Sequence, residues 1–288
     1  MSMANATTAQ KRVLKALQNH AADSQKLLTT QRASGIEPTQ AGTQSFHTRA
    51  TLHTELAAAA LAGGVPAEWV DQAHERGTKA IRWNTNLFLR RAAPIDRDAL
   101  IDNLRADIDR LARFTGIHAA YTHITGRHDD TTATVDQTLT TLWHRSAQIG
   151  VLLGIDTDQA RQHWPYQQWM KQASTSAAGQ TQAQLTQHWH AIANTDMTSY
   201  TAQSIALTGA GITPNPAIAA PEPIAIFHAL SERDVGVGVG GLFSDAPGAH
   251  IGAAVDATRS QSAHIDYDAD ITPPVFSDPQ VNYPGIDP

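Results

Sequence analysis

The stretch that most constrains the fold of this chain is Glu55–Asp71, with the sequence ELAAAALAGGVPAEWVD. Its alanine-rich first half favours a helix, and Gly63 and Gly64 end that helix because glycine readily adopts left-handed backbone conformations. Pro66 follows at a position suited to a first helical residue, since its fixed φ and missing N–H cost nothing there. The stretch therefore predicts two short helices joined by a tight turn.

Small and apolar residues lie where such a helix pair needs them. Ala60 lets the two helices cross closely, and Gly64 tolerates a positive φ in the turn. The apolar positions that hold the helices together are Val65, Val70 and Ala73. Over Glu55–Arg91 the pattern resembles that of winged or simple helix-turn-helix DNA-binding proteins. The resemblance is to a motif, and it implies an element that contacts double-stranded DNA.

The segment after the second helix, AIRWNTNLFLRR, predicts a small β-hairpin wing. Two apolar runs at 80–83 and 87–89 flank Asn84-Thr85-Asn86, and asparagine tolerates the conformations that tight hairpin turns require. Basic side chains here suit contacts with the phosphate backbone, and a glutamine on the second helix suits a base edge. The predicted nucleic-acid-binding residues are Gln72, Lys79, Arg82, Arg90 and Arg91.

Acidic residues on the second helix oppose this interpretation. Glu68, Asp71 and Glu75 lie where the helix would approach DNA, and their charge opposes the phosphates, whose neutralisation supplies most nonspecific affinity. These residues favour an alternative in which the same helix pair is part of the core of a helical interaction or structural protein. Both interpretations remain open from the sequence.

Composition and charge narrow the classes of function further. The 288 residues include no cysteine, which excludes disulfides, thiolate zinc sites and cysteine nucleophiles. Residues 1–91 hold 11 basic against 6 acidic residues, whereas residues 212–288 hold 2 against 10. A basic region suits an anionic partner, and an acidic tail suits solvent or a basic partner. Since no run of about 18 apolar residues occurs, we expect a cytoplasmic protein with no membrane contact.

Hydrophobic spacing predicts an all-α fold. Helices are expected over 6–32, 46–62 and 66–77, then along the stripes Ile101–Leu111 and Val135–Leu153, with two or three more between 156 and 211. The predicted domains are a region containing the helix-turn-helix at 1–92, a helical bundle at 93–211, and a largely disordered, acidic, Pro/Gly-rich tail at 212–288.

One segment of the predicted tail, Ile224–Leu230 (IAIFHAL), has the spacing of a short amphipathic helix. Such a helix docks either on the body of its own protein or on a partner. The predicted partner-binding residues are Ile224, Ile226, Phe227 and Leu230.

Histidines and aspartates near the middle of the chain suggest a third interpretation. His128-Asp129 is the dipeptide of HD-type metal phosphohydrolases, and His118 with Asp136 or Asp156 could supply further ligands. Their spacing is not diagnostic, and the stretch is better explained as solvated polar residues at a helix connection. We therefore expect no cofactor and no catalytic residues.

The sequence leaves three functions in order of preference. The first is a non-enzymatic DNA-associated accessory or regulatory protein that uses the helix-turn-helix-like element and the basic N-terminal region. The second is a helical interaction protein whose hairpin is core, with partners that are other proteins or further copies of itself. The third is a His/Asp metal-dependent hydrolase.

Overall fold

The computed structural model describes residues 6–35, 39–84, 88–126 and 130–235, and within these ranges the chain forms ten α-helices and no β-strand. The predicted all-α fold is confirmed. The helices are α1 (Thr8–Ser34), α2 (Gln40–Ala62), α3 (Ala67–Thr78), α4 (Arg97–Thr125), α5 (Asp130–Leu153), α6 (Thr157–His163), α7 (Tyr166–Ser176), α8 (Gln182–Ala193), α9 (Thr198–Gly209) and α10 (Pro223–Val235). None of these helices is both long enough and apolar enough to cross a membrane.

Side-chain caps explain where several helices begin. Thr7, Asp156 and Thr181 each accept a hydrogen bond from a backbone N–H three residues on, and a glutamine at that position closes a capping box. Thr39 caps α2 in the same way by accepting from the Gly42 N–H at 3.1 Å. The start predicted for this helix at residue 46 was therefore wrong, because Gly42 lies inside the first turn of a capped helix.

The region between residues 156 and 211 contains four helices, α6 to α9, rather than two or three. They are short, from 7 to 12 residues, and a helix of so few turns shows too few repeats of the hydrophobic spacing to be distinguished from its neighbours. Pro165 precedes α7 and Thr181 precedes α8, and both residues were signals that could have marked these starts.

Two hydrophobic stripes predicted from the sequence form the centre of the fold. Ile101, Leu104, Ile108 and Leu111 on α4 are at most 4% exposed, and the stripe of α5 is buried with them. Helices α5, α7, α8 and α10 all pack against α4. The core is continuous from Ala6 to Ile226, so helices on both sides of the boundary predicted at residue 92 contribute to it.

Two glycines allow helices to approach more closely than any side chain would permit. A Cβ atom added at Gly116 of α4 would lie 1.8 Å from the Ala173 carbonyl oxygen of α7. One added at Gly77 of α3 would lie 2.4 Å from the Ala21 Cβ and 2.6 Å from the Gln18 carbonyl oxygen of α1. Missing side chains therefore set the spacing of the α4–α7 and α1–α3 pairs.

Some sequence-based predictions lie outside the described residues. They include the wing turn at 85–87, the His128-Asp129 dipeptide and the tail beyond residue 235. The amphipathic helix predicted at 224–230 is present as part of α10.

A matched pair of glycine substitutions tests the close approach of α4 and α7. We expect Gly116→Ala to destabilise the protein, because an overpacking cost of about 1–3 kcal/mol exceeds the gain of ~1 kcal/mol in helix propensity. Gly150 of α5 is the control, since an added Cβ there meets nothing nearer than 3.9 Å. Gly150→Ala should leave the free energy of unfolding, measured in urea, unchanged or slightly raised. Equal effects of the two substitutions would contradict the packing account.

Candidate functional site

The predicted helix pair has a four-residue connection between α2 and α3. Gly64 has a φ of 74°, which explains why glycine is needed at this point of the turn. The Val65 N–H donates to the Ala60 carbonyl oxygen at 2.9 Å, and both side chains are buried. The turn is thus built as the sequence predicts, while contact with DNA remains a prediction.

The predicted β-hairpin wing was wrong for the residues described on either side of its turn. Residues 80–84 and 88–96 form no strand. The Gln18 side-chain amide of α1 donates to the Ile81 carbonyl oxygen at 2.8 Å, and the Trp83 N–H donates to Asn19 Oδ1 at 3.0 Å. Side chains of a neighbouring helix thus take backbone groups that a hairpin would have paired with each other.

Gln72, the predicted base reader, has a structural role in the same segment. Its side chain is buried, with Nε2 donating to the Phe88 carbonyl oxygen at 2.9 Å and Oε1 accepting from the Arg90 N–H at 2.9 Å. The Trp69 indole N–H donates to the Arg90 carbonyl oxygen at 2.8 Å. A base contact would require the two hydrogen bonds of the Gln72 side-chain amide to break, so the predicted role does not fit this placement.

Two of the four predicted phosphate contacts are paired with carboxylates. Arg82 forms an ion pair with Asp23 of α1. Arg90 donates from Nη2 and Nη1 to the two carboxylate oxygens of Glu75, at 2.5 and 3.2 Å. The side-chain hydrogen bond with Arg90 lowers the pKa of Glu75, and the same bond raises the pKa of Arg90. All four predicted cations are exposed, and two of them, Arg82 and Arg90, already face carboxylates.

The predicted partner-binding residues of α10 mostly face the protein itself. Ile226 is buried, Leu230 packs against the core, and the Phe227 ring lies 5.2 Å from the His118 ring of α4. Only Ile224 is turned outward, with half of its surface exposed. The helix therefore docks on α4 and α5 and leaves little apolar surface for another chain.

The histidine nominated as a metal ligand has both ring nitrogens bonded. Because the Trp189 indole N–H can only donate, His118 Nδ1 at 3.1 Å must be the acceptor. The proton then lies on Nε2, which donates to Asp136 Oδ1 at 3.0 Å. In the described ranges no three His, Asp or Glu side chains are arranged to hold a metal ion.

An open groove of about 670 Å³ lies in the described surface between α2, α5 and the α8–α9 region. We call it the threonine groove. Its volume lies within the range of about 300–1,000 Å³ that is usual for ligand sites. It is lined by Gln44, His47, Thr48, Thr51, Leu52, Thr134, Gln137, Thr138, Thr141, Ala193, Thr195, Asp196, Met197, Thr198, Thr201, Ala202 and Ile205.

The threonine side chains of the groove present a less polar surface than the residue type suggests. The hydroxyls of Thr48, Thr134, Thr138 and Thr195 each donate to the carbonyl oxygen four residues earlier, in each case at 3.0 Å. Such back-bonding uses the hydroxyl within its own helix. Methyl groups, together with Leu52, Met197 and Ile205, therefore supply much of the contact surface.

The floor of the groove, α9, packs into the core through Leu207 and is also held by a network of polar contacts. Arg145 of α5 donates to Asp107 Oδ2 and to Gln203 Oε1, both at 2.6 Å. Gln203 in turn donates to Glu55 of α2 at 2.9 Å, and the Arg145 guanidinium lies 4.2 Å from the centre of the Tyr200 ring. These bonds fix α9 against α2, α4 and α5.

One carboxylate is the only formally charged side chain among the residues that line the groove, histidines being counted as neutral. Asp196 Oδ1 accepts from the Thr198 backbone N–H at 2.9 Å, just before α9. Hydrogen bonds from the Thr198 side chain and backbone lower the pKa of Asp196, so it is ionised at neutral pH. The groove is otherwise uncharged.

The spacing of the wall residues in the sequence was a signal for this groove, although many of these residues are threonines and glutamines rather than apolar residues. Positions 44, 48, 51 and 52 of α2, and 134, 138 and 141 of α5, recur every three or four residues and so share one helix face. Because hydropathy patterns treat threonine as neutral, they do not mark these two helix faces as packing surfaces. Nothing in the sequence could show that the two faces meet.

A half-buried and an exposed carboxylate allow the floor network to be tested. Asp107→Asn should lower the free energy of unfolding by about 3 kcal/mol, because it leaves the buried Arg145 guanidinium without a counter-ion. The control is Asp158→Asn, which removes a surface pair with Arg161 and should cost less than about 1 kcal/mol. Urea unfolding of both variants at neutral pH measures the difference. Similar small losses would show that the network contributes little.

Comparisons with known proteins found no match to this chain. No family model matches it, no curated protein matches it, and no solved structure matches it. Its function therefore has to be argued from the groove, the α3 surface and the docked α10 described above.

Proposed function

We propose that this chain is a helical protein-interaction protein, and that its threonine groove binds one face of an amphipathic helix from a partner protein. The observation that carries the proposal is an open groove bounded by three helix faces, in which four of the eight threonine hydroxyls donate to backbone carbonyls and formal charge is nearly absent. This develops the second function inferred from the sequence and moves the contact from α10 to the groove.

The shape of the groove favours a helix over other ligands. Helices pack by placing side chains spaced three or four residues apart into the grooves of a neighbour. The wall residues of α2 and α5 have this spacing and face one shared space, as they would around a further helix of the bundle. Recognition of an amphipathic helix by an apolar groove is a recurrent mode of protein binding.

Charge argues against nucleic acid as the occupant. Binding to DNA depends on cations that replace the counter-ions of the phosphates. The groove is lined by no lysine or arginine, and its one ionised carboxylate, Asp196, would repel phosphate. Near α3, Arg82 and Arg90 already face carboxylates. DNA association, the first function inferred from the sequence, is therefore retained as an outcome of the test.

The lining also defines the chemistry of the partner helix. Threonine methyls and Ala193 and Ala202 leave room for small and medium aliphatic side chains on the bound face. The carboxylate of Asp196 favours a lysine or arginine near one end of that face. The partner is thus expected to carry an uncharged aliphatic stripe with a basic residue at one end.

Substitutions within the groove should abolish the binding of such a helix. Amphipathic helical peptides would be selected from a displayed library against the full chain, and their affinities measured by fluorescence anisotropy. Ile205→Arg and Thr134→Arg, both at exposed positions of the lining, should weaken binding at least about tenfold, or ~1.4 kcal/mol, by filling the groove with a charged side chain. Ile224→Arg on α10 is the control, and it should leave binding unchanged.

Four results would overturn the proposal. The first is equal binding of the selected peptides to all variants, and the second is a failure to select any helical peptide. The third is binding of labelled duplex DNA to the full chain with a steep loss of affinity between about 50 and 200 mM salt, which would favour the nucleic-acid function. Self-association that Ile205→Arg abolishes would identify a second copy, rather than a partner protein, as the occupant.

Removing the charge of Asp196 tests the expected basic residue. Asp196→Asn keeps an oxygen that can accept from the Thr198 N–H, so the start of α9 should be preserved. We expect this variant to bind lysine- or arginine-bearing peptides a few-fold more weakly, with less dependence on salt. Peptides with a neutral residue at that position should bind to both proteins alike, and equal losses for the two sets would contradict the assignment.

A further inference from the structure

Three histidines from different helices come together on the side of α2 away from the threonine groove. They are His20 of α1, His53 of α2 and His74 of α3. The His53 and His74 rings lie 5.1 Å apart between centroids, tilted by 54°. His53 is half-buried, and its Nε2 atom is buried with no hydrogen-bond partner among the described residues.

The environment of His53 opposes its protonation. Burial lowers the pKa of His53 first, and the nearby His74 and His20 lower it further, while the Leu17 backbone carbonyl acts in the opposite direction. The two histidines are thus the titratable groups that act on His53 from the helices packed against it. The shift of the pKa has the direction expected for an imidazole that lacks both water and a counter-ion.

The nearest helices do hold carboxylates, and three of these carboxylates are bonded elsewhere, although Glu75 also acts on His74. Asp23 of α1 is paired with Arg82, and Glu75 of α3 is paired with Arg90. Glu55, on α2 itself, accepts hydrogen bonds from Ser199 and Gln203 of α9. An imidazolium formed at His53 would therefore lie beside two further imidazole rings, and among the described residues no carboxylate acts on it.

We propose that His20, His53 and His74 form an acid-sensitive junction that holds α2 against α1 and α3 at neutral pH and loosens it as the histidines become protonated. Neutral rings pack at the junction, whereas imidazolium ions repel one another and draw water to the buried nitrogen. Titration of histidine between pH 5 and 8 is a common basis for such switches.

The direction of the pH effect follows from linkage. Above pH ~6.5, the ordinary pKa of histidine, His53 is neutral in both folded and unfolded chains and contributes no pH dependence. Below it, the unfolded chain binds the proton first, because the pKa of His53 is lowered in the folded chain. Stability is therefore lost as the pH falls, by up to about tenfold in the folding equilibrium per pH unit for one proton.

The junction also bears on the groove, since α2 provides one of its walls through Gln44, His47, Thr48, Thr51 and Leu52. Loosening α2 would disturb this wall, a consequence that rests on the proposed function. The junction itself does not depend on it, so its test uses no peptide.

The first measurement is an NMR titration of the histidine rings in the full chain, with His53 assigned by His53→Gln. We expect His53 to titrate below about pH 6.5, and His74→Gln to raise its midpoint by removing a neighbouring positive charge. A His53 midpoint at or above that of exposed histidines would overturn the proposal, and so would an unchanged midpoint in His74→Gln. The comparison with His74→Gln remains possible even if His53→Gln folds poorly, because the His53 ring resonances can then be assigned through the backbone resonances.

The second measurement compares urea unfolding at about pH 7.5 and 5.5, the interval over which histidine charges. Wild-type protein should lose more stability between these pH values than His53→Gln, by several-fold in the equilibrium constant. His228→Gln, at an exposed position on α10, is the matched control and should behave as wild type. Since His118 is also buried, the relevant quantity is the difference between variants. Equal pH dependence in wild type and His53→Gln would overturn the proposal.

Discussion

The packing of α4 against α5, α7, α8 and α10 is the interaction on which the other elements depend. Its aliphatic stripe is almost fully buried, and the absence of a side chain at Gly116 lets α7 approach closely enough to cover it. Because α5 and α10 both pack on α4, the wall of the groove and the docked helix are both positioned from this one helix. Asp107 of α4 also accepts a hydrogen bond from the Tyr200 hydroxyl, which ties α9 to the same helix.

The features predictable from sequence were those governed by local chemistry. The three- and four-residue spacing of the stripe from Ile101 to Leu111 directly predicts a buried helix face. Gly64 predicts a turn because few other residues tolerate its positive φ. The prediction of a wing was wrong because side chains distant in sequence, such as Asn19 and Gln72, form hydrogen bonds with the backbone of this segment. Their amides look like surface groups until the fold brings α1 and α3 beside residues 81–90.

The candidate site was harder to predict than the fold because its residues change character with context. Arginines that suggest phosphate contacts become partners of Asp23 and Glu75 once α1 and α3 are placed. Threonines that suggest a polar surface become carriers of methyl groups once their hydroxyls bond within the helix. Residue type alone therefore favoured nucleic acid, whereas the bonding of the same residues favours an apolar, uncharged contact.

An open apolar groove needs a reason not to close, and the polar floor supplies one. Were α9 held by apolar packing alone, sliding it towards the space between α2 and α5 would bury more methyl groups at little cost. The contacts of Gln203 and Tyr200 are directional, and moving α9 would break the hydrogen bonds that Gln203 makes with Arg145 and Glu55 and that Tyr200 donates to Asp107, leaving these partly buried polar groups unpaired. The walls can therefore remain apolar while the floor stays in place, which is the combination that a preformed binding site for a helix requires.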